Sequence, residues 1–302
     1  MSKRIMKPIC FTLLAAALIA AFSCAAMAQT QECATKYPIL LVHGLTSRDG
    51  ENGNSWGRIP QALEERGAKL FFGGTDAVGS VEGNAAMLKA RVNQILVETG
   101  SEKVNIVAHS KGGLEARYMI SSLGMAGQVA SLTTICTPHH GSQAIGPLID
   151  KLPAWALRGV SSAVNAFYRL QGDENPDFYA AALYFVPSAM ETFNEQNPDA
   201  PGVYYQSYAA AMRGPLSDPH LALPFLLIQR AEGENDGLVS VESAKWTNFQ
   251  GVMRGATARG VSHADAADYH KMNFTCKESG DGIADIRLFY VDLAASLKAK
   301  GM

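Results

Sequence analysis

A serine at position 110 lies in the run Val104-Asn105-Ile106-Val107-Ala108-His109-Ser110-Lys111-Gly112-Gly113. An apolar, β-prone segment passes straight into a helix-like one, and the serine stands at the joint among small residues. This is the pattern of a nucleophile elbow, with Ala108 where glycine is usual. A turn that sharp admits only small side chains two residues either side of the serine. It would lift Ser110 Oγ clear of the carboxyl end of a strand and place it at the amino end of a helix, whose positive end favours developing negative charge. The chemistry that suits such a serine is attack on a carbonyl carbon while a neighbouring base takes its proton.

Downstream residues offer that base and the group that orients it. In folds built on such an elbow the chain order is serine, acid, histidine. Phe225 to Gln229 reads as a strand, followed by Glu232-Gly233-Glu234-Asn235-Asp236-Gly237-Leu238-Val239. Asp236, ahead of a glycine turn, stands where a strand-end loop presents a carboxylate; Glu232 and Glu234 read as solvated. Of the two later histidines, His263 lies in a loop-like setting, whereas His270 falls in a helix-like one and reads as a surface residue. His43, His139, His140 and His220 precede the acid and are set aside as bases. His43 reads as the organiser of its own loop, and His139 and His140 as ties or wall residues after Thr137-Pro138. The turn His43-Gly44-Leu45 and the residue after the serine would supply an oxyanion hole from the backbone N–H groups of Leu45 and Lys111. His263 would take the Ser110 proton, Asp236 would orient the imidazole, and water would release the acyl group by the same route.

The elements that must position these groups are legible as alternating periods. Tyr37 to Val42, Val104 to Ala108 and Val129 to Cys136 are short buried-strand candidates. Gln61 to Arg66 and Ala85 to Val97 have helical spacing, the latter with Met87, Val92, Ile95 and Leu96 on one face. Gly112 to Leu123 reads as a helix stopped by Gly124. Strands alternating with helices predict an α/β fold, a mostly parallel sheet covered on both faces. Gly141 to Leu223 breaks the alternation: Trp155, Val160, Val164, Phe167 and Tyr168 have helical spacing, and prolines punctuate the rest. It reads as a helical cap inserted at about 142–223, between two strands of a single α/β domain spanning 29–302.

Composition bounds the partners. Of 302 residues 47% are hydrophobic and 18% charged, which suits a large core, and a net charge of −2 without a Lys/Arg run argues against nucleic acid. Lys3, Arg4 and Lys7 precede the apolar run Ile9 to Phe22, and Ala26-Met27-Ala28 offers small residues before a cut. Residues 1–28 therefore read as a secretory signal peptide, too short in its apolar part for a membrane span. Its removal leaves 23 Lys+Arg against 28 Asp+Glu, a net charge of −5, and the cysteines Cys33, Cys136 and Cys276. Cys136 reads as a buried thiol. Cys33 and Cys276, in polar surroundings near the two ends, are candidates for a bridge in an oxidising compartment. No Cys/His spacing matches a zinc site.

Tyr37-Pro38-Ile39-Leu40-Leu41-Val42-His43-Gly44-Leu45, the elbow, Pro138-His139-His140-Gly141-Ser142, Asn235-Asp236-Gly237-Leu238-Val239 and His263-Ala264-Asp265 together resemble the secreted bacterial triacylglycerol lipases of the Pseudomonas and Burkholderia type. The resemblance implies an α/β-hydrolase fold, hydrolysis of carboxylic esters at an oil–water interface, and a helical lid within 142–223. It also implies a structural calcium ion, for which Asp265 and Asp218 match the two aspartate ligands. Relatives that need a dedicated folding helper carry a cysteine bridge around the catalytic aspartate; this chain has no cysteine there, so no such helper is expected. Ala108 and Lys111 mark a divergent branch, which leaves a polyester depolymerase or short-chain carboxylesterase as the alternative, and a catalytically silent binding module as the remote one.

Overall fold

The computed structural model describes residues 31–49, 54–255, 259–271, 283 and 285–302. Strands β1 (Ile39–Val42), β2 (Leu70–Phe72), β3 (Val104–His109), β4 (Val129–Ile135), β5 (Tyr204–Ala211) and β6 (Phe249–Arg254) form one parallel sheet in the order β2-β1-β3-β4-β5-β6. The pleat sends alternate side chains to opposite faces. Ile39 and Leu41 pack with Trp56, Ile59, Tyr290 and Leu293, while Leu40 and Val42 pack with Leu88, Val92, Ile95 and Met119. The first layer is carried by α1 (Ile59–Glu64) and the C-terminal helix (Ile286–Ala299), the second by α2 (Val81–Thr99) and α3 (Lys111–Ser121). A sheet buried on both faces explains why these strands are continuously apolar.

Local chemistry sets the helix ends. Ser80 caps α2, its hydroxyl accepting from the Gly83 N–H at 3.0 Å, and Gly100 closes that helix at φ +66°. The buried stripe of α2 runs Val81, Asn84, Ala85, Leu88, Val92 and Ile95, so Leu88 rather than Met87 faces the sheet.

Two expectations are corrected. Phe225 to Gln229 is not a strand but part of α8 (Ala222–Ala231). Leu, Ala, Gln and Arg are good helix formers, and Pro224 falls in the first turn, where its missing N–H leaves no bond unmade. The strand following β4 is instead β5, inside the stretch assigned to the cap; its Ala209-Ala210-Ala211 end hid it. The insertion between β4 and β5 holds α4 (Gly146–Lys151), α5 (Ala154–Leu170), α6 (Phe178–Leu183) and α7 (Pro187–Gln196), so the boundary at 223 falls too late.

Cys33 is also not in polar surroundings. Its thiol is buried under the C-terminal helix and donates to the Val291 carbonyl, and burial pushes its pKa up to about 11. Its suggested partner Cys276 and the signal segment 1–28 lie outside the described residues. No helix of the described residues is long and apolar enough to cross a membrane.

The insertion is joined to the sheet by a buried cluster. The Arg117 guanidinium lies 3.8 Å over the Trp246 ring, donates to Asn194 Oδ1 (2.8 Å) and the Asn197 carbonyl (2.9 Å), and reaches His139 Nδ1 (3.2 Å). A guanidinium only donates, so His139 must be neutral at Nδ1 and carry its proton on Nε2, toward Thr134 Oγ1 at 3.0 Å. Burial, and after it the Arg117 charge, hold the His139 pKa well below the usual 6.5. The unfolded chain takes up this proton as pH falls through about 6.5, and the folded chain does not. Melting temperature is therefore expected to fall between pH 7.5 and 5.5. His139→Gln, which keeps one acceptor and one donor, should flatten part of that slope; an unchanged slope in thermal melts would refute the assignment.

Candidate active site

β3 ends at His109, and α3 begins at Lys111. Between them Ser110 adopts φ +53° and ψ −130°. A non-glycine residue at such a φ is strained by about 1–3 kcal/mol and persists only where its surroundings over-determine it. Here the Ser110 N–H donates to Ile135 O at 2.9 Å, and the Ser110 carbonyl accepts from Thr137 Oγ1 at 2.9 Å and Gly113 N at 3.0 Å. The need for small neighbours is real, but its main source is β1. A Cβ on Gly112 would sit 2.4 Å from the His43 carbonyl, and one on Gly44 would meet Ser110 Cβ at 2.7 Å.

Three distant segments meet at this serine. Ser110 Oγ–H donates to His263 Nε2 at 2.9 Å, and His263 Nδ1–H donates to Asp236 Oδ2 at 2.7 Å. Asp236 Oδ1 accepts the N–H groups of Leu238 (2.9 Å) and Val239 (2.8 Å), which turns Oδ2 toward the imidazole. The His263 N–H donates to Asp236 O at 2.8 Å, tying the two loops together. All three side chains are buried. His109 Nε2–H donates to the His263 carbonyl at 3.0 Å, and its ring lies 4.5 Å from the His263 ring. Burial holds the His109 pKa well below the histidine value, so a second positive charge does not form beside His263.

A cavity of about 590 Å³ opens onto Ser110 and His263, with Leu45, Ile149, Leu157, Phe178, Phe185 and Val239 among its walls. That is the size and polarity of a small-molecule site. The parallel sheet covered by helices agrees with the fold of known proteins. The family model for the alpha/beta hydrolase fold matches residues 37–167. A triacylglycerol lipase of Pseudomonas fragi is 36% identical over 237 residues, covering 68% of this chain and 80% of that one.

The chain belongs to the bacterial lipases of the α/β-hydrolase superfamily.

A Burkholderia plantarii triacylglycerol lipase is 34% identical across 62% of this chain; this lipase-family chain spans little more than half, 55%, of that relative's length. In structure it is similar to a metagenomic carboxyl esterase (TM-score 0.67, 18% identity, 88% of this chain and 76% of that one). It also resembles a mature Bacillus licheniformis lipase (TM-score 0.57, 22% identity, 78% and 88%).

Other candidate residues in this lipase-family chain fall as follows. His43 organises its loop, its ring nitrogens at 2.9 Å from Gly44 O and 3.1 Å from Thr75 O. His140 is exposed and bonds Lys245 O at 3.1 Å. Asp218 and Asp265 are both buried against Ser262, whose hydroxyl donates to Asp218 Oδ2 at 3.1 Å. His270 is exposed, as expected of a surface residue, but lies in a turn rather than a helix, with Nδ1 at 2.9 Å from Asp265 Oδ1 and 3.8 Å from Asp218 Oδ2.

Two aspartates escaped the sequence reading. Asp173 accepts the N–H groups of Ala77 (3.1 Å) and Val78 (3.0 Å) and pairs with Arg48, while Asp76 accepts those of Glu174 (2.9 Å) and Asn175 (2.6 Å). Together they clamp the end of α5 to the loop beside the site. The tight approach at Gly112 makes a direct prediction: Gly112→Ala should overpack β1 by about 1–3 kcal/mol. A melting temperature lowered by several degrees is expected; an unchanged one would show that β1 gives way.

Proposed function

We propose that this chain is a secreted serine carboxylester hydrolase, a lipase acting on acylglycerols. The observation that carries the reading is the unbroken chain Ser110 Oγ–His263–Asp236 opening onto an apolar cavity. Ser110 Oγ attacks the ester carbonyl as its proton passes to His263 Nε2. Asp236 holds the imidazole with its proton on Nδ1 and stabilises the cation that forms. The backbone N–H groups of Leu45 and Lys111 receive the oxyanion; each such donor is worth about 10²–10³ in turnover. Collapse expels the alcohol, protonated by His263, and water enters by the same steps to free the acid.

The insertion supports the choice of a water-insoluble substrate. α5 leaves Trp155, Val160 and Phe167 exposed at 78%, 59% and 56%. An apolar outer face is out of place in water and suits a lid that meets an oil surface. The leader-like segment 1–28 supports export to the periplasm or beyond, with no membrane span retained and no dedicated folding helper.

Asp265, two residues after His263, and Asp218, which meets the same loop through Ser262, are buried carboxylates, the hard oxygen donors calcium takes, and the donor chemistry therefore fits. Asp218 and Asp265 would hold the ion, which would supply positive charge to steady that loop; the catalytic steps stay with the three side chains. His270 is the basic group the structure sets against both carboxylates. A chelator is expected to lower melting temperature by several degrees, with recovery on adding calcium; an unmoved melt would remove the ion from the account.

The central test is fluorophosphonate labelling with peptide mapping, expected to modify Ser110, together with Ser110→Ala, expected to lose at least about 10⁴-fold in kcat. A label elsewhere would overturn the reading, and inactivity of the unaltered chain toward all esters would favour a binding module. Rates on long against short p-nitrophenyl esters, above and below solubility, separate a lipase from a short-chain esterase or a polyester depolymerase.

A further inference from the structure

Lys111 serves the mechanism above only through its backbone N–H, yet its side chain is buried beside the elbow. The ammonium donates to the Gly79 carbonyl at 3.0 Å and pairs with Glu115 Oε1, one turn further along α3. Glu115 Oε1 also accepts from Asn84 Nδ2 of α2 at 2.8 Å, while the buried Oε2 has no hydrogen-bond partner among the described residues. Helix stability does not ask for this pair. A cation in the first turn opposes the helix dipole, and lysine ahead of glutamate is the weaker order of an i,i+4 pair. Burying two charges is costly enough that apolar residues of similar volume often serve a fold as well.

The backbone that the ammonium holds has a second task. Residues 76–79 lie between β2 and α2, and each of their four carbonyls accepts a bond from a different place. Asp76 O accepts from Asn84 Nδ2 at 2.7 Å, Ala77 O from the Thr46 N–H at 2.9 Å, Val78 O from the Asp177 N–H at 2.9 Å, and Gly79 O from Lys111. Thr46 follows Leu45 and adopts φ +62°, a left-handed conformation that a β-branched residue keeps only when its surroundings hold it. The two N–H groups assigned to the oxyanion, those of Leu45 and Lys111, leave different strands. This one segment is bonded to both sides, through the amide next to Leu45 and through the side chain of Lys111 itself.

We propose that the Lys111 side chain is a positioning group for the oxyanion hole. By tethering the elbow to the segment that also holds Thr46, it fixes the spacing of the Leu45 and Lys111 N–H donors before substrate arrives. The proposal rests on the ester-hydrolase reading. Donors set in advance need no reorganisation as charge develops on the substrate oxygen. Glu115 supplies the opposite charge that lets the ammonium be buried there.

The test compares Lys111→Met/Glu115→Gln and Glu115→Gln with the unaltered chain and with Ser110→Ala. Methionine fills the buried volume without the tether, and glutamine keeps an acceptor for Asn84 without leaving a lone charge. kcat per fluorophosphonate-titrated site and KM are measured on a soluble p-nitrophenyl ester, so that misfolded chains do not enter kcat. The inhibition constant of an alkyl boronic acid is measured beside them, because its tetrahedral adduct on a serine Oγ carries an oxygen into the oxyanion hole. The double variant should lose roughly 10-fold in kcat with little change in KM, and bind the boronic acid more weakly by a similar factor, as a displaced donor requires. Glu115→Gln alone keeps the bond to Gly79; its melting temperature should fall, but kcat should stay within roughly threefold. Wild-type kcat in the double variant, a loss of kcat with boronic-acid affinity unchanged, or an equal loss in Glu115→Gln would overturn the tether while the triad stands. Hydrolysis surviving in Ser110→Ala would instead overturn the triad and this role with it.

Discussion

The backbone of Ser110 is the constraint on which the site depends. A residue at φ +53° cannot hold itself there, and the sheet over-determines it. β4 supplies the Ile135 carbonyl to its N–H, Thr137 takes its carbonyl, and β1 comes so close that Gly112 has no room for a side chain. Three adjacent parallel strands thus end around one residue. Parallel pairing matters because it brings all the carboxyl ends, and the loops that leave them, to the same edge. The strain is local, the bracing is not, and the result is an Oγ presented to the imidazole at 2.9 Å.

The acid and base reach that edge through β5. Asn235 lends its carbonyl to the Met212 N–H, the Ala211 carbonyl accepts from Val261, and Arg213 bonds the carbonyl of Arg259. The two excursions that carry Asp236 and His263 are therefore returned to the end of one strand, then joined directly by the His263 N–H and the Asp236 carbonyl. This accounts for the order of the functional residues along the chain: a serine on β3, then an acid and a histidine on loops anchored beyond the neighbouring strands. Cys136, at the end of β4, lies between the two systems, its N–H bonded to the Tyr208 carbonyl and its sulfur within 4.8 Å of ring nitrogens of His109 and His263.

How much of this was legible follows from how local each signal is. The elbow is written within ten consecutive residues, Val104 to Gly113, and the apolar runs of β1 and β4 are short and unambiguous. Asp236 and His263 were reachable because chain order and loop chemistry narrow the choice. What the sequence hid were features decided by tertiary partners. β5 ends in three alanines with little strand preference, and only the slot between β4 and β6 makes them extended. Phe225-Leu226-Leu227-Ile228 suits strand or helix equally by pattern, and the surface position after the Asp218 turn makes it α8. Asp76 and Asp173 carry no motif; each is defined by amides about a hundred residues away. His270 gains meaning only beside Asp265.

Those two aspartates also say where the insertion can yield. They hold the end of α5 with buried, charge-assisted bonds, which are among the strong ones, while along α5 itself only Leu157 and Ser161 are buried. An amphipathic helix normally hides its apolar stripe and shows its polar one; here much apolar surface faces water and little holds the helix down. On the lipase reading proposed above, a firmly held end and a lightly packed body would suit α5 to act as a lid. Its exposed Trp155, Val160 and Phe167 would find cover against an oil surface that water does not offer them.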